Sequence, residues 1–204
     1  MLVARGNTAP LLPTVLNNLG NVLLDQQRPA EAHAHYVHAA ALEPPVCLVF
    51  NGLSNALEGL GRFNEAVAAC KRGVHRLPSC DLAYYNLGRL LRSAERNEEA
   101  PLAYRVAVAL SPREPRYING LGTAMHGAGR VVEAGAAYHL AAQLAPEWSA
   151  PCRNLGLLDF EAKRLRKALI WFRKTVTIEP MSAETYTDMG TAYLELGDQM
   201  AVRL

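Results

Sequence analysis

Proline stands at positions 44, 78, 112, 146 and 180, each 34 residues after the last. Four further columns keep the interval. Glycines 20, 88, 122, 156 and 190 do so, with Ser54 filling the gap, and alanines 32, 66, 100, 134 and 168 follow the same spacing. Aromatic residues sit at Tyr36, Tyr104, Tyr138 and Phe172, with Cys70 in the second unit. Leucines 19, 53, 87, 121 and 155 continue into Met189. A period of this length marks a stack of like units, each burying its apolar face on its neighbours rather than around one central core.

Each unit reads as two helices. Leu16, Leu19, Gly20 and Leu23 fall at i, i+3, i+4 and i+7, one apolar stripe. A helical glycine costs about 1 kcal/mol against alanine, so its recurrence implies close approach of a neighbouring helix. In the second helix Ala32, Tyr36 and Ala39 form the stripe, small residues flanking one ring. Pro29 suits the first turn of that helix, and the proline at 44 and its equivalents end each hairpin. Arginines 28, 62, 96, 130 and 164 lie just past the first helix, where a cation complements the negative end of the helix dipole.

This leucine-glycine, alanine, aromatic, terminal-proline pattern resembles the tetratricopeptide repeat. The resemblance runs from residue 13 to about 198. It gives a flexible N-terminal segment (1–12), five units at 13–46, 47–80, 81–114, 115–148 and 149–182, and a partial sixth at 183–204. It implies an all-α, right-handed superhelical solenoid of tandem helix-turn-helix repeats, with the first helices lining a concave groove.

A weaker 68-residue period also runs through the chain: Gly61, Gly129 and Gly197 occur in even units only, as do Gly52 and Gly120. It suggests duplication of a two-unit block. After Gly197 the register fails, and Tyr186, Met189 and Tyr193 have no complete second helix to cover them. Fraying is expected there, and an uncapped end also allows self-association.

At 100° per residue, Thr14, Asn17, Asn18, Asn21 and Asp25 lie roughly opposite the apolar stripe of the first helix. The matching positions are Asn51 and Asn55; Tyr85, Asn86 and Arg89; Arg116, Asn119 and Thr123; Arg153 and Asn154; then Thr187 and Asp188. Eight of the eleven asparagines occupy this face, although asparagine is a mediocre helix former. An amide offers an acceptor and two donors, matching the backbone of an extended peptide. The candidate binding residues are therefore Asn17, Asn18, Asn21, Asn51, Asn55, Tyr85, Asn86, Arg89, Arg116, Asn119, Arg153 and Asn154.

Asn18, Asn86 and Asn154 each precede leucine-glycine. That N-L-G unit resembles the repeats of O-linked N-acetylglucosamine transferases and Spindly-type proteins, which implies an asparagine ladder with these three as rungs. Gly52, Gly120 and Asp188 interrupt it, and Asn51 and Asn119 sit one residue earlier. A frame of Asn51, Asn55, Asn86, Arg116 and Gly120 partly resembles a dicarboxylate clamp, but lacks two of its basic residues.

The net charge of +2 gives no concentrated basic surface for nucleic acid. The densest basic cluster, Lys163, Arg164, Arg166 and Lys167, reads as a solvated turn. No apolar run is long enough for membrane insertion, and the N-terminus is a poor signal peptide. Cys47, Cys70, Cys80 and Cys152 have no metal spacing and suit a reducing compartment, so a cytoplasmic or nuclear location is expected. His33, His35 and His38 lack further ligands for a metal. The segment 52–56 lies within a helix rather than at a nucleophile elbow, and G-L-G at 120–122 lacks a preceding strand. Trp148 and Trp171 read as packing residues. No cofactor and no catalysis are expected. The expected function is a scaffold that binds a protein or extended peptide, with the recognition region of a peptide-modifying glycosyltransferase as the alternative.

Overall fold

The computed structural model describes residues 11–42 and 47–201. These carry eleven α-helices: α1 (Leu12–Asp25), α2 (Pro29–Ala41), α3 (Cys47–Gly59), α4 (Phe63–Arg76), α5 (Asp81–Ser93), α6 (Ala100–Leu110), α7 (Pro115–Gly127), α8 (Val131–Leu144), α9 (Ser149–Glu161), α10 (Leu165–Ile178) and α11 (Ala183–Ala201). They form two compact units, α1–α6 and α7–α11. In the first, α1/α2, α3/α4 and α5/α6 pair as hairpins, and α3 packs on α2 and α5 on α4. The first helices of these hairpins, α1, α3 and α5, also meet side by side. In the second, α7/α8 and α9/α10 are the hairpins, α9 packs on α8, and α11 packs on α10 while touching α9.

The turn inside each hairpin has one form. Arg28 N–H donates to Leu23 C=O and Gln27 N–H to Leu24 C=O, both at 2.9 Å. The same pair of bonds recurs at Gly61/Arg62, Glu95/Arg96, Gly129/Arg130 and Lys163/Arg164. These are Schellman closures, which need a left-handed residue just past the helix. Gly61 and Gly129 supply it at φ 72° and 75°, whereas Gln27, Glu95 and Lys163 adopt φ 58–60° as non-glycine residues. The alternate glycines of the 68-residue period thus mark the turns closed without strain. Gly197 has no such role, because α11 is helical through Ala201.

The arginine column differs from expectation. Arg28, Arg62, Arg130 and Arg164 are N-cap residues of the second helices. Arg28 forks onto Glu31 at 2.7 and 2.6 Å, and Arg62–Glu65, Arg96–Glu99 and Arg130–Glu133 repeat that pair. Hydrogen bonding from each arginine holds Glu31, Glu65 and Glu99 below the ordinary carboxylate range. Arg164, followed by Lys167 instead of an acid, turns back to Asp159 at 2.6 Å. Four side chains of the column therefore reach an acid of the second helix and Arg164 one of the first, while all five backbone N–H groups close the end of the first helix.

The helical glycines make room for rings, as their spacing requires. A β-carbon on Gly20 would stand 2.6 Å from the Tyr36 ring, on Gly88 2.6 Å from Tyr104, and on Gly122 2.7 Å from Tyr138. Gly156 stands in the same relation to Phe172, and the far side of Tyr36 is met by Gly52. In the second hairpin both partners change: Ser54 Oγ donates to Asn51 C=O at 2.8 Å, and Cys70 Sγ donates to Ala83 C=O at 3.2 Å. Both Ser54 and Cys70 are fully buried.

Two expectations need correction. Leu19 does not join the buried stripe: Leu16, Gly20 and Leu23 are buried, but Leu19 is exposed. Cys70 and Cys152 are free and buried, with burial raising both thiols, but Cys80 is disulfide-bonded, so the four cysteines are not all reduced. Pro44, residues 1–10 and residues 202–204 lie outside the described residues. The segment expected to be flexible to residue 12 meets helix from Leu12.

Candidate functional site

The polar faces of the first helices do not present a uniform row of free amides. Asn55 Oδ1 accepts from Arg89 Nη2 at 2.7 Å, and the same guanidinium pairs with Glu58, so α3 and α5 are tied together. Glu58 also accepts from Ser93 at 3.1 Å. In the second unit Asn154 Nδ2 donates to Asn119 Oδ1 at 3.0 Å, joining α9 to α7. Arg153 reaches Glu184 at 2.6 Å and Asp188 at 2.9 Å, joining α9 to α11. Asn21 turns to its own hairpin and accepts the Tyr36 hydroxyl at 2.6 Å. Bonds of this kind between residues 31–35 apart fix the side-by-side register of neighbouring first helices.

Other members are placed differently. Tyr85 is half-buried and meets Tyr104 edge-on, with ring centroids 5.7 Å apart. Asn86 is buried, Asn18 is exposed, and Arg116 is exposed beside Glu114. The three N-L-G asparagines thus occupy three different settings: open, buried, and bonded across to α7. The partial clamp frame changes likewise, since the Asn55 carbonyl is already taken by Arg89.

Asn17 and Asn51 stand apart. They are equivalent residues of α1 and α3, 9% and 5% exposed. Neither Asn17 Oδ1 nor either amide atom of Asn51 has a hydrogen-bond partner among the described residues. Leaving a buried polar atom unsatisfied costs about 1–3 kcal/mol, so these atoms need a reason to be there. Asn17, but not Asn51, lines a cleft of about 90 Å³ together with Thr14 and Asn18 of α1 and Leu48 and Val49 of α3. Sequence reasoning placed Asn17 and Asn51 on the polar face; Leu48, an exposed leucine at the cleft, it passed over.

Among the described residues no group of three or more histidine, cysteine or acidic side chains is placed to hold a metal. No helix among them is long and apolar enough to cross a membrane. Trp171 meets His139 edge-on at 5.2 Å and carries Lys174 over its ring, consistent with a packing role.

Models of the tetratricopeptide repeat match residues 14–42 and 51–115. Residues 14–42 and 51–115 carry tetratricopeptide repeats. Solved tetratricopeptide structures share the fold. MamA from Desulfovibrio magneticus superposes with a TM-score of 0.73 at 23% identity, over 88% of this chain and 99% of that one. A chain of the APC/C hetero-tetramer Cut9–Hcn1 gives 0.75 at 18% identity, over 90% of this chain and 36% of that chain. YrrB, described as a tetratricopeptide protein with an unusual peptide-binding site, gives 0.67 at 20% identity, over 84% and 89%. No curated protein sequence matches the chain. The finer resemblance to O-linked N-acetylglucosamine transferases finds no support in these likenesses, nor does a glycosyltransferase role.

Proposed function

We propose that this tetratricopeptide chain is a protein-binding scaffold that takes an extended peptide at the α1–α3 end of its row of first helices. The observation that carries this reading is Asn17, a buried residue lining the α1–α3 cleft whose Oδ1 is unpartnered. A peptide main chain supplies the complementary N–H and C=O groups. The exposed Asn18 adds a second amide at the mouth of the cleft, and Leu48 an apolar contact. Asn55, Arg89, Asn119, Arg153 and Asn154 serve a second purpose, knitting first helices together. Each amide-to-backbone bond contributes about 0.5–1.5 kcal/mol net, so affinity is modest and tolerant of peptide sequence. The likeness to YrrB supports peptide binding as a use to which such repeats are put.

The test is selection of binders from a displayed random-peptide library, followed by Asn17→Ala and Asn18→Ala variants. Loss of the Asn17 bond should weaken a selected peptide by about tenfold, the equivalent of about 1.4 kcal/mol, without lowering the melting temperature of the free chain. A selected peptide bound equally well by both variants would rule the cleft out. A large fall in free-chain stability for Asn17→Ala would show that the amide is structural.

A further inference from the structure

The fifth hairpin departs from the other four along one side of its second helix. On α10, Arg164, Lys167, Trp171 and Lys174 fall at i, i+3, i+7 and i+10, a single stripe. In the four earlier hairpins the second of these columns is an acid, Glu31, Glu65, Glu99 or Glu133, which takes the fork of the arginine before it. The third is Ala69, Ala103 and Ala137 in three of them and His35 in the first. Lys167 thus replaces an acid and Trp171 a smaller residue. The stripe of α10 carries three cations, no acid and one indole.

The facing helix, α8, is unusual at the matching place. Gly135 stands in the column of His33 and of Val67, Pro101 and Leu169, the last three buried. A β-carbon on Gly135 would meet only Leu158, at 3.9 Å, so there is room here for a side chain that the glycine does not supply. The departures of α8 and α10 meet: Gly135, Trp171 and Arg164 line one hollow of about 300 Å³, together with the buried Leu155 and Leu158 of α9. That volume lies at the lower end of ligand-binding pockets, about 300–1,000 Å³.

The charge around the hollow is positive on balance. Asp159 lines it, but its side chain is 13% exposed and accepts Arg164 Nε at 2.6 Å, whereas the Arg164 side chain stays 51% exposed. Lys167 forms no ion pair among the described residues, and Lys174 Nζ stands over the Trp171 ring, 5.6 Å from its centre. Glu133 of α8 is held by Arg130. His139, the remaining titratable group lining the hollow, packs edge-on against Trp171.

We propose that this hollow is a second docking site, taking an acidic segment of a partner protein that carries one aromatic residue. The ring enters between Gly135 and Trp171, where stacking and burial favour it, and flanking carboxylates meet Arg164, Lys167 and Lys174. The stripe from Arg164 to Lys174 is about 15 Å long at 1.5 Å per residue, a length that about five residues of extended chain span. The site lies wholly in the second compact unit and grips side chains, so it is independent of the α1–α3 cleft.

The experiment is a fluorescence titration of the full chain with the peptide Gly-Asp-Glu-Phe-Asp-Glu-Gly, in a Trp148→Phe background that leaves Trp171 as the one indole. Saturable binding that shifts Trp171 emission and weakens with added salt is expected. Gly135→Leu, which supplies the side chain that Leu169 supplies in its own hairpin, should weaken binding about tenfold or more, the scale of a lost aromatic burial. Lys167→Glu restores the acid of the other hairpins and should cost about tenfold at low salt. Asn17→Ala should change nothing, which separates this site from the cleft. No saturable binding up to about 1 mM peptide overturns the proposal, as does a Gly135→Leu variant that binds like the parent. A single-stranded uridine oligomer bound more tightly than the peptide overturns it too. Circular dichroism establishes that each variant is folded. Trp171→Ala, carrying the residue of three other hairpins, replaces Gly135→Leu if that variant is not, with the same loss expected in anisotropy of a fluorescein-labelled peptide.

Discussion

The Tyr138 ring lies where a side chain on Gly122 would have to go, 2.7 Å from the position of its β-carbon. Gly190, in the same column, has open space at that point. Opposite responses to one substitution follow. Gly122→Ala should destabilise the fold by about 1–3 kcal/mol through overpacking. Gly190→Ala should stabilise it by up to about 1 kcal/mol through helix propensity alone. Urea melts of the two variants check this, and equal shifts would contradict the ring-and-notch account.

The turn residues make a second test. Glu95 at φ 59° and Gln27 at φ 60° occupy a backbone region that glycine enters freely. Glu95→Gly and Gln27→Gly should each raise stability by about 1 kcal/mol, since the left-handed conformation costs other residues about that much. Lys163→Gly is a poorer probe, because Lys163 also pairs with Glu195 at 2.8 Å and lies over Phe160. Thermal melts that fall for both of the first two variants would refute the assignment of strain.

The buried pair Ser54 and Cys70 should behave as a size-matched exchange for glycine and an aromatic ring. Cys70→Tyr alone drives a ring toward Ser54 and should cost several kcal/mol, in the range of severe overpacking. Adding Ser54→Gly should recover about 1–3 kcal/mol of that loss, the coupling expected of residues in contact. Additive effects in the four-variant cycle would show that the two positions do not meet.

Alkali should weaken the fold through its buried phenols. Burial pushes the Tyr104 hydroxyl up to about 12, and Tyr36 likewise to about 12 with Asp25 adding to the effect. Each phenol ionises in the unfolded chain near pH 10 while the folded chain still holds its proton. Stability is therefore full below about pH 10 and falls as the pH climbs toward 12. Tyr104→Phe keeps the ring in the Gly88 notch and removes the proton, so denaturant melts of that variant should lose less stability between pH 9 and 11 than those of the parent. An unchanged slope would contradict the burial effect.

The hairpins were legible in sequence because their determinants are local and repeated: a glycine at one column and a ring sixteen residues later fix how two helices meet. Schellman turns were only half legible. Gly61 and Gly129 showed as a periodic pair, but Gln27, Glu95 and Lys163 fill the same backbone role with side chains that give no sign of it. The arginine column was placed at the right spot, but its side-chain partners were not legible: four of the acids lie one turn into the next helix and that of Arg164 in the helix before. For the polar face, periodicity identified the side but not the bonding. Whether Asn55 meets a peptide or Arg89 depends on how neighbouring first helices slide past each other, and no single repeat encodes that offset. Leu19 failed for a related reason: its column is apolar in every repeat, but only a preceding hairpin can bury it.

Because Tyr36 is wedged between Gly20 of its own hairpin and Gly52 of the next, while Cys70 answers Ser54, the piece that can be copied or lost without damage is not any window of 34 residues. A duplication that set a tyrosine against Ser54, or left Gly20 facing a cysteine, would introduce a clash or a void. Lineages that lengthen or shorten this array can do so only at breakpoints that keep each ring with its own notch, so its history of growth is constrained by side-chain size as much as by reading frame.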